Sequence, residues 1–350
     1  MALFTALQDV RPDQWDTPIP LSHDARLHLA LLPAFLHLQQ GRPFHPSLPT
    51  MTCDVDASRT AGGGILYTVH TTHMAQHYFT ATESQQHINI LELFNALLTL
   101  AAFLHFLTNS TILLRLDNQV AKAYIDMHGG RKPHLQQLAA HIHALCIKFH
   151  IVIQTAYLPS ALMTADPISR YLDPEDFKLN PTHFTHFLTF LDTHHLPRPQ
   201  IDTMATALNA QLPNFCSRFH HYAARHIDFF SIQWATTDYT AIWCNPPFSC
   251  ITKVLAHLSQ APPPYTYLLT PDHQHHTPAW DTWLKNHAPS RLTIPIHPHT
   301  FTTLPNKHVK GHLPPTFPLH IYILPSTSFS TPNPTPIHTI PVDSWTTMPH

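Results

Sequence analysis

Met51-Thr-Cys-Asp-Val-Asp-Ala-Ser-Arg-Thr-Ala-Gly-Gly-Gly-Ile-Leu-Tyr-Thr-Val69 decides the fold. The pattern predicts a strand over Met51–Val55, a turn over Ala61–Gly64 and a second strand over Ile65–Val69, with a third over Gln76–Ala81, together an antiparallel meander. Asp56 stands at the end of the first strand. Three more carboxylates follow at comparable places: Glu92 in the first turn of an apolar helical pattern over Asn89–Leu107, Asp117 after an apolar strand over Thr111–Leu116, and Asp166 opening a short helix. Singly, each has an ordinary reading as a turn former, a first-turn acid or a helix cap. As a set they sit where an α/β sheet gathers side chains into one cluster, and clustered carboxylates repel unless a cation neutralises them. Oxygen-only ligands select Mg²⁺ or Mn²⁺. Two such ions about 3.5–4 Å apart are a device for hydrolysing phosphodiesters.

Outward from this stretch, helices are predicted over Gln119–Met127 and Leu135–Phe149, separated by Gly129-Gly130, then a strand over Ile151–Tyr157. The result is a mixed sheet flanked by helices over residues 48–172. A connector over 173–180 leads to a second α/β pattern over 181–325: a helix over His183–Leu191, a strand ending at Asp202, and an apolar strand entering Asn245-Pro-Pro-Phe248. A helix over Ile251–Leu258 and an apolar run over Tyr265–Leu269 complete it. Residues 1–47 hold one helical pattern, Ala25–Leu38, and the Ser/Thr/Pro-rich residues 326–350 read as a disordered tail.

At 350 residues the chain accommodates two domains with sizeable cores. Its most apolar stretch, 88–107, contains Glu92, Asn89, Asn95 and His105, so no membrane span is expected. Neither an apolar leader nor a Cys-x-x-Cys pair occurs, and the five cysteines are scattered, which points to a soluble protein of a reducing intracellular compartment, cytoplasmic or nuclear. Charged residues make up 11% against about a quarter in ordinary proteins, while His (33) and Pro (35) are over-used and Gly (7) is scarce. A G-poor coding strand would produce this profile, and ordinary G content at third codon positions would contradict it. Histidine pairs such as His220-His221 are accordingly set aside as metal ligands, and the surviving glycines, Gly62–Gly64 and Gly129-Gly130, are read as positions that need φ > 0 or close backbone approach. The net charge of −2 leaves any nucleic-acid surface local.

The order strand-Asp, helix-Glu, strand-Asp, helix-start-Asp resembles the ribonuclease H fold. The words Asp56-Ala-Ser, Ile88-Asn-x-Leu-Glu92-Leu, Leu116-Asp117-Asn118, Gly129-Gly130, Tyr157-Leu-Pro and Ala165-Asp166-Pro-Ile-Ser-Arg170 resemble the ribonuclease H domain of tyrosine-recombinase retrotransposons of the DIRS type. The departure is at Ser160-Ala-Leu-Met163, where such elements carry a Gly and an Asn. Leu21-Ser-His-Asp-Ala-Arg-Leu-His-Leu29 resembles the end of a reverse transcriptase thumb and connection, so residues 1–47 are read as a remnant of it, and the reverse transcriptase domain of the same polyprotein is the expected partner. In the second half, Ile201-Asp202-Thr-Met-Ala, Asn209, Asp228-Phe-Phe and Asn245-Pro246-Pro247-Phe248 resemble Dam-like N6-adenine methyltransferases, a Rossmann-like α/β fold. That resemblance implies S-adenosylmethionine held by Asp202 and Asn209, and a DNA base held by Asn245, Pro246, Pro247 and Phe248. Thr203-Met204-Ala205 stands where the family has glycines.

The resemblances together imply two-metal hydrolysis of the RNA strand of an RNA–DNA hybrid by Asp56, Glu92, Asp117 and Asp166, with a second domain acting on DNA. Two alternatives differ in class: a catalytically inactive nucleic-acid-binding connection module, and a methyltransferase whose N-terminal half only holds DNA. Hybrid binding without cleavage marks the first, and methyl transfer without hydrolysis marks the second.

Overall fold

The computed structural model describes residues 47–171, 177–272, 278–294, 300–302, 317–330 and 338–340, with residues 18, 20–23, 25, 26, 29 and 30. The first domain is a five-stranded sheet with the order β3-β2-β1-β4-β5. Its strands are β1 (Met51–Ala57), β2 (Ala61–Tyr67), β3 (Thr72–Tyr78), β4 (Thr111–Leu116) and β5 (Val152–Tyr157). The first three pair antiparallel, and β4 and β5 are added parallel to β1. Helices α1 (Ile88–Ala102), the short α2 (Leu104–Leu107), α3 (Gln119–Asp126) and α4 (Pro133–Lys148) accompany the sheet, with a short fifth helix after β5. The expected helix over 89–107 is broken at Phe103, which leaves helical geometry at φ −96° and ψ 11°. One core unites Cys53 and Val55 of β1, Leu93, Ala96 and Leu100 of α1, and Leu114 of β4. Arg115, the charge inside β4, lies opposite Asp54 in register and donates two hydrogen bonds to its fully buried carboxylate, at 2.5 and 2.8 Å. This is the ribonuclease H-like arrangement, a mixed sheet flanked by helices.

The glycine triplet forms no turn. Gly62, Gly63 and Gly64 lie within β2, and none has a positive φ. They are small because two helices press on the strand from its two faces. A Cβ on Gly62 would stand 2.0 Å from Asn95 Oδ1 of α1. One on Gly63 would stand 2.6 Å from Ser169 N and 2.8 Å from Ala165 O, both backbone, at helix α5 (Asp166–Arg170). Gly63→Ala therefore forces α5 away from the sheet, and an overpacking cost of about 1–3 kcal/mol is expected. Thermal melts check this, and an unchanged midpoint contradicts it.

The second domain begins with β6 (Lys178–Leu179) and helix α6 (Pro181–Thr193), so the expected connector ends earlier than residue 180. β6 pairs with β13 (Phe301–Thr302). The main sheet has the order β15-β12-β14-β11-β10-β7. Its members are β7 (Ile201–Asp202), β10 (Ala241–Cys244), β11 (Tyr265–Pro271), β12 (Ser290–Ile294), β14 (Leu319–Pro325) and β15 (His338–Ile340). A bridge from Asp202 to Phe215 continues the sheet to β8 (Cys216–Ser217) and its parallel neighbour β9 (His226–Ile227). Only β14 runs against the others. Helix α6 buries Phe184, Phe187 and Leu191 on Trp243 and Tyr267, while α7 (Ile251–Leu258) and α8 (Ala279–His287) pack on the opposite core with Ile242 and Leu268. The reading of 326–350 as disordered does not hold for Ser326–Phe329, a 3₁₀ turn, or for β15, whose backbone pairs with β12. Of residues 1–47, His23, Ala25, Arg26, Leu29 and Ala30 are helical, and most of the remnant lies outside the described residues. Among the described residues no helix is long and apolar enough to cross a membrane.

The domains meet at β3, the edge of the first sheet. His220 N donates to Met74 O at 2.8 Å and Gln76 N to His220 O at 3.3 Å, so an open strand edge is covered. The His220 ring lies 5.3 Å from that of His73 and 5.6 Å from that of His105, and the His221 ring 4.9 Å from that of His77, whose two nitrogens are buried without a partner. Burial pushes His220 and His221 down to about 4, and His77 well below its usual range. A depressed histidine contributes stability that is present above about 6.5 and lost as pH falls toward about 4. Lowering the pH through that window is expected to lower the protection factor of the Gln76 amide, after correction for the intrinsic exchange rate at each pH, while β4 amides keep theirs. A uniform response of both would contradict this.

Candidate active site and a second cleft

Asp56 is the penultimate residue of β1, Glu92 points from α1, and Asp117 follows β4; an oxygen from each lies within 4.8 Å of the others. Local chemistry sets each in place. Asn118 takes the capping role that Asp117 would otherwise fill, its Oδ1 accepting from Ala121 N at 2.9 Å. Its Nδ2 donates to Asn89 Oδ1 at 2.9 Å, which ties the start of α1 to the loop bearing Asp117. Asn95 Nδ2 donates to Asp56 O and Gly63 O, fixing α1 across β1 and β2. Ser169 of α5 donates to Asp56 Oδ2 at 2.5 Å, and Ser160 donates to Asp117 Oδ2 at 2.6 Å. These two serines had been quoted in the sequence motifs without a role. Asp166 stands apart: its Oδ1 accepts from Arg170 Nε at 2.7 Å, one helical turn away. That exposed pair is worth roughly 0.3–0.5 kcal/mol, too little to fix Asp166 away from the cluster.

Burial, then the fields of Asp56 and Asp117, push the Glu92 carboxyl up to about 9, and one of its oxygens has no hydrogen-bond partner. Burial likewise raises Asp56, against the lowering effect of Ser169. Two buried carboxyls and the half-buried Asp117, crowded together with one Glu92 oxygen unsatisfied, offer three oxygen donors that fit a divalent Mg²⁺ or Mn²⁺ ion. The three open into a cavity of about 660 Å³ that Arg59, Arg170 and Asn118 also line.

A second cavity, of about 560 Å³, opens at the carboxyl ends of the parallel strands of the second domain: Thr203–Ala207 follow β7, Arg218 and Phe219 follow β8, Asp228 follows β9, and Asn245 and Pro247 follow β10. β7 has β8 on one side and β10 on the other, the switch point at which open α/β sheets bind ligands. Asp202 and Asn209 do not line it. Asp202 is 1% exposed, accepts from Gln211 N at 2.9 Å to close the loop after β7, and is raised to about 7 by burial. Asn209 caps Thr206 N at 2.6 Å. Asn245 is on the cavity wall, with its Nδ2 donating to Phe177 O at 2.9 Å; Pro246 is buried, and Phe248 packs into both cores. Asp228, the one carboxylate among the described residues lining the cavity, has no role assigned from the sequence.

No protein-family model matches the chain, and no curated protein matches it. Solved structures do. The N-terminal RNase H domain of a Mycobacterium tuberculosis protein, fused to maltose-binding protein, is 14% identical over 34% of this chain and 90% of that one, with a TM-score of 0.28. An LC11-RNase H1 in complex with an RNA/DNA hybrid is 15% identical over 34% and 91%, at 0.29. The protease-reverse transcriptase of prototype foamy virus is 14% identical over 50% of this chain and 24% of that one, at 0.23.

Proposed function

We propose that the first domain is a metal-dependent ribonuclease of the ribonuclease H type, acting on the RNA strand of RNA–DNA hybrids in a retroelement of the DIRS type, alongside that element's reverse transcriptase domain. The observation that carries this is the cluster Asp56, Glu92 and Asp117 on the ends of β1, α1 and β4. Bound Mg²⁺ or Mn²⁺ would supply an activated water and neutralise charge on the leaving oxygen. Asp56, steadied by Ser169, and Asp117, steadied by Ser160, present oxygens from the rigid sheet. Glu92 closes the set from α1, and Asp166, paired with Arg170, is the fourth carboxylate of this reading. Arg59 and Arg170 on the cavity wall are placed to meet backbone phosphates. The test labels each strand of a hybrid separately. Cleavage confined to RNA is expected, and binding without cleavage would favour the inactive connection module.

For the second domain the reading is an S-adenosylmethionine-dependent adenine methyltransferase. Two observations favour it: the strand order β9-β8-β7-β10-β11-β14-β12-β15 with β14 alone reversed, and the Asn245-Pro-Pro loop at the mouth of the switch-point cavity. The cavity fits a nucleoside-bearing cofactor in size and in the placing of the carboxylate Asp228 beside Phe229 and Phe230. Phe248 does not fit base stacking as it stands, being held between the cores. Calorimetric titration with S-adenosylmethionine tests the domain. Binding that raises the melting temperature supports the reading, and no binding at millimolar ligand reduces the domain to a nucleic-acid-holding module.

A further inference from the structure

Two consecutive residues line the two cavities. Arg170, the last residue of α5, lines the first, and Tyr171, the next residue and about 3.8 Å on along the chain, lines the second. Part of the second cavity's wall belongs to the first domain: Gln76 and Tyr78 of β3, with Tyr171. Gln76 Nε2 donates to Ile168 O and Tyr171 O at 2.8 and 2.7 Å, which clamps this wall to the end of α5. Across it, Arg218 Nη1 of the second domain donates to Tyr171 Oη at 2.9 Å, and its guanidinium lies 5.3 Å from the Tyr171 ring centroid and 5.2 Å from that of Phe219. Tyr171 remains 37% exposed.

Aromatic rings with an interleaved guanidinium plane form a stacking platform that accepts any base, because every base has a π-face. Among the described residues that line this cavity, the charged ones are Arg218, Lys253 and Asp228. Its 560 Å³ admits a nucleotide or two and excludes a duplex. We propose that the cleft between the domains holds an unpaired polynucleotide strand continuing from the ribonuclease site around the Arg170–Tyr171 corner, with a base on Tyr171 and phosphates at Arg218 and Lys253. The proposal rests on the ribonuclease reading of the first site. It also names the substrate form that reaches Asn245: a base already out of the helix, so no duplex has to be opened to present it.

The experiment compares fluorescence anisotropy of a short blunt RNA–DNA hybrid with that of the same hybrid carrying a few unpaired nucleotides on its DNA strand or on its RNA strand. It uses the full chain in an Asp117→Asn background to prevent cleavage. The extended hybrid is expected to bind about tenfold tighter than the blunt one, the gain of one to two stacked bases, and the preferred arm identifies the strand. Tyr171→Ala brings the ratio of affinities to about one, and Tyr171→Phe, which keeps the ring and loses the hydroxyl, retains it. A ratio near one for both extensions, or a ratio that survives Tyr171→Ala, overturns the proposal. Failure of the blunt hybrid itself to bind would instead sink the ribonuclease reading, and this proposal with it.

Discussion

Asp117→Asn is expected to lower hybrid cleavage by about 10²–10⁴-fold, the several kcal/mol that a metal-held charge supplies to the transition state. The substitution keeps shape and hydrogen bonding: Ser160 Oγ still has an oxygen or nitrogen opposite it, and Asn118, not residue 117, caps α3. Folding should therefore be intact, and the loss should appear in turnover, with circular dichroism unchanged. Asp56→Asn is expected to behave alike, since Ser169 Oγ can bond the amide oxygen as it does Asp56 Oδ2. Cleavage at the unsubstituted rate by either variant would remove the carboxylate cluster from the chemistry.

Glu92→Gln is expected to cut activity on a similar scale, about 10²–10⁴-fold, and to stabilise the metal-free protein. The Glu92 carboxyl rises from 4.5 to about 9 on folding. A raised acid contributes stability that is fully present below about 4.5 and lost as pH rises through about 9, because the folded state binds the extra proton. In EDTA the unsubstituted protein should lose stability across that window. Gln has no proton to lose and should flatten the slope, melting higher at pH 8 by about 4–8 °C if the relief is ~2 kcal/mol. Added Mg²⁺ should reverse the ranking, stabilising the parent by mass action and the variant less. Parallel pH profiles for the two proteins in EDTA would show that the cluster stores no such repulsion.

Period and punctuation made the first domain legible in sequence. Asp56 and Asp117 close apolar strand patterns, and Glu92 opens an apolar helix, so a sheet with those strands adjacent has to bring them together. Asp166 was legible as a helix-start acid, and its pairing with Arg170 four residues on is a weak local contact that the helix period itself creates. The glycine triplet was informative for the second of its two stated reasons: Gly63 is held small by the backbone of α5, whose approach depends on residues a hundred positions away. In the second domain the strands were visible and the cavity was not. Asp202 is used to close its own loop through Gln211, and Phe248 is used in both cores. The cavity wall formed by Gln76, Tyr78 and Tyr171 exists only because the domains dock, and no window of sequence contains both sides of it.

Incubation of the protein with a hybrid labelled on its RNA strand, in Mg²⁺, Mn²⁺, Zn²⁺ or EDTA, tests the central claim most directly. The cluster of Asp56, Glu92 and Asp117 predicts RNA cleavage with Mg²⁺ or Mn²⁺ and none in EDTA, because its donors are oxygens alone. Cleavage that survives EDTA, or that requires zinc, would contradict it.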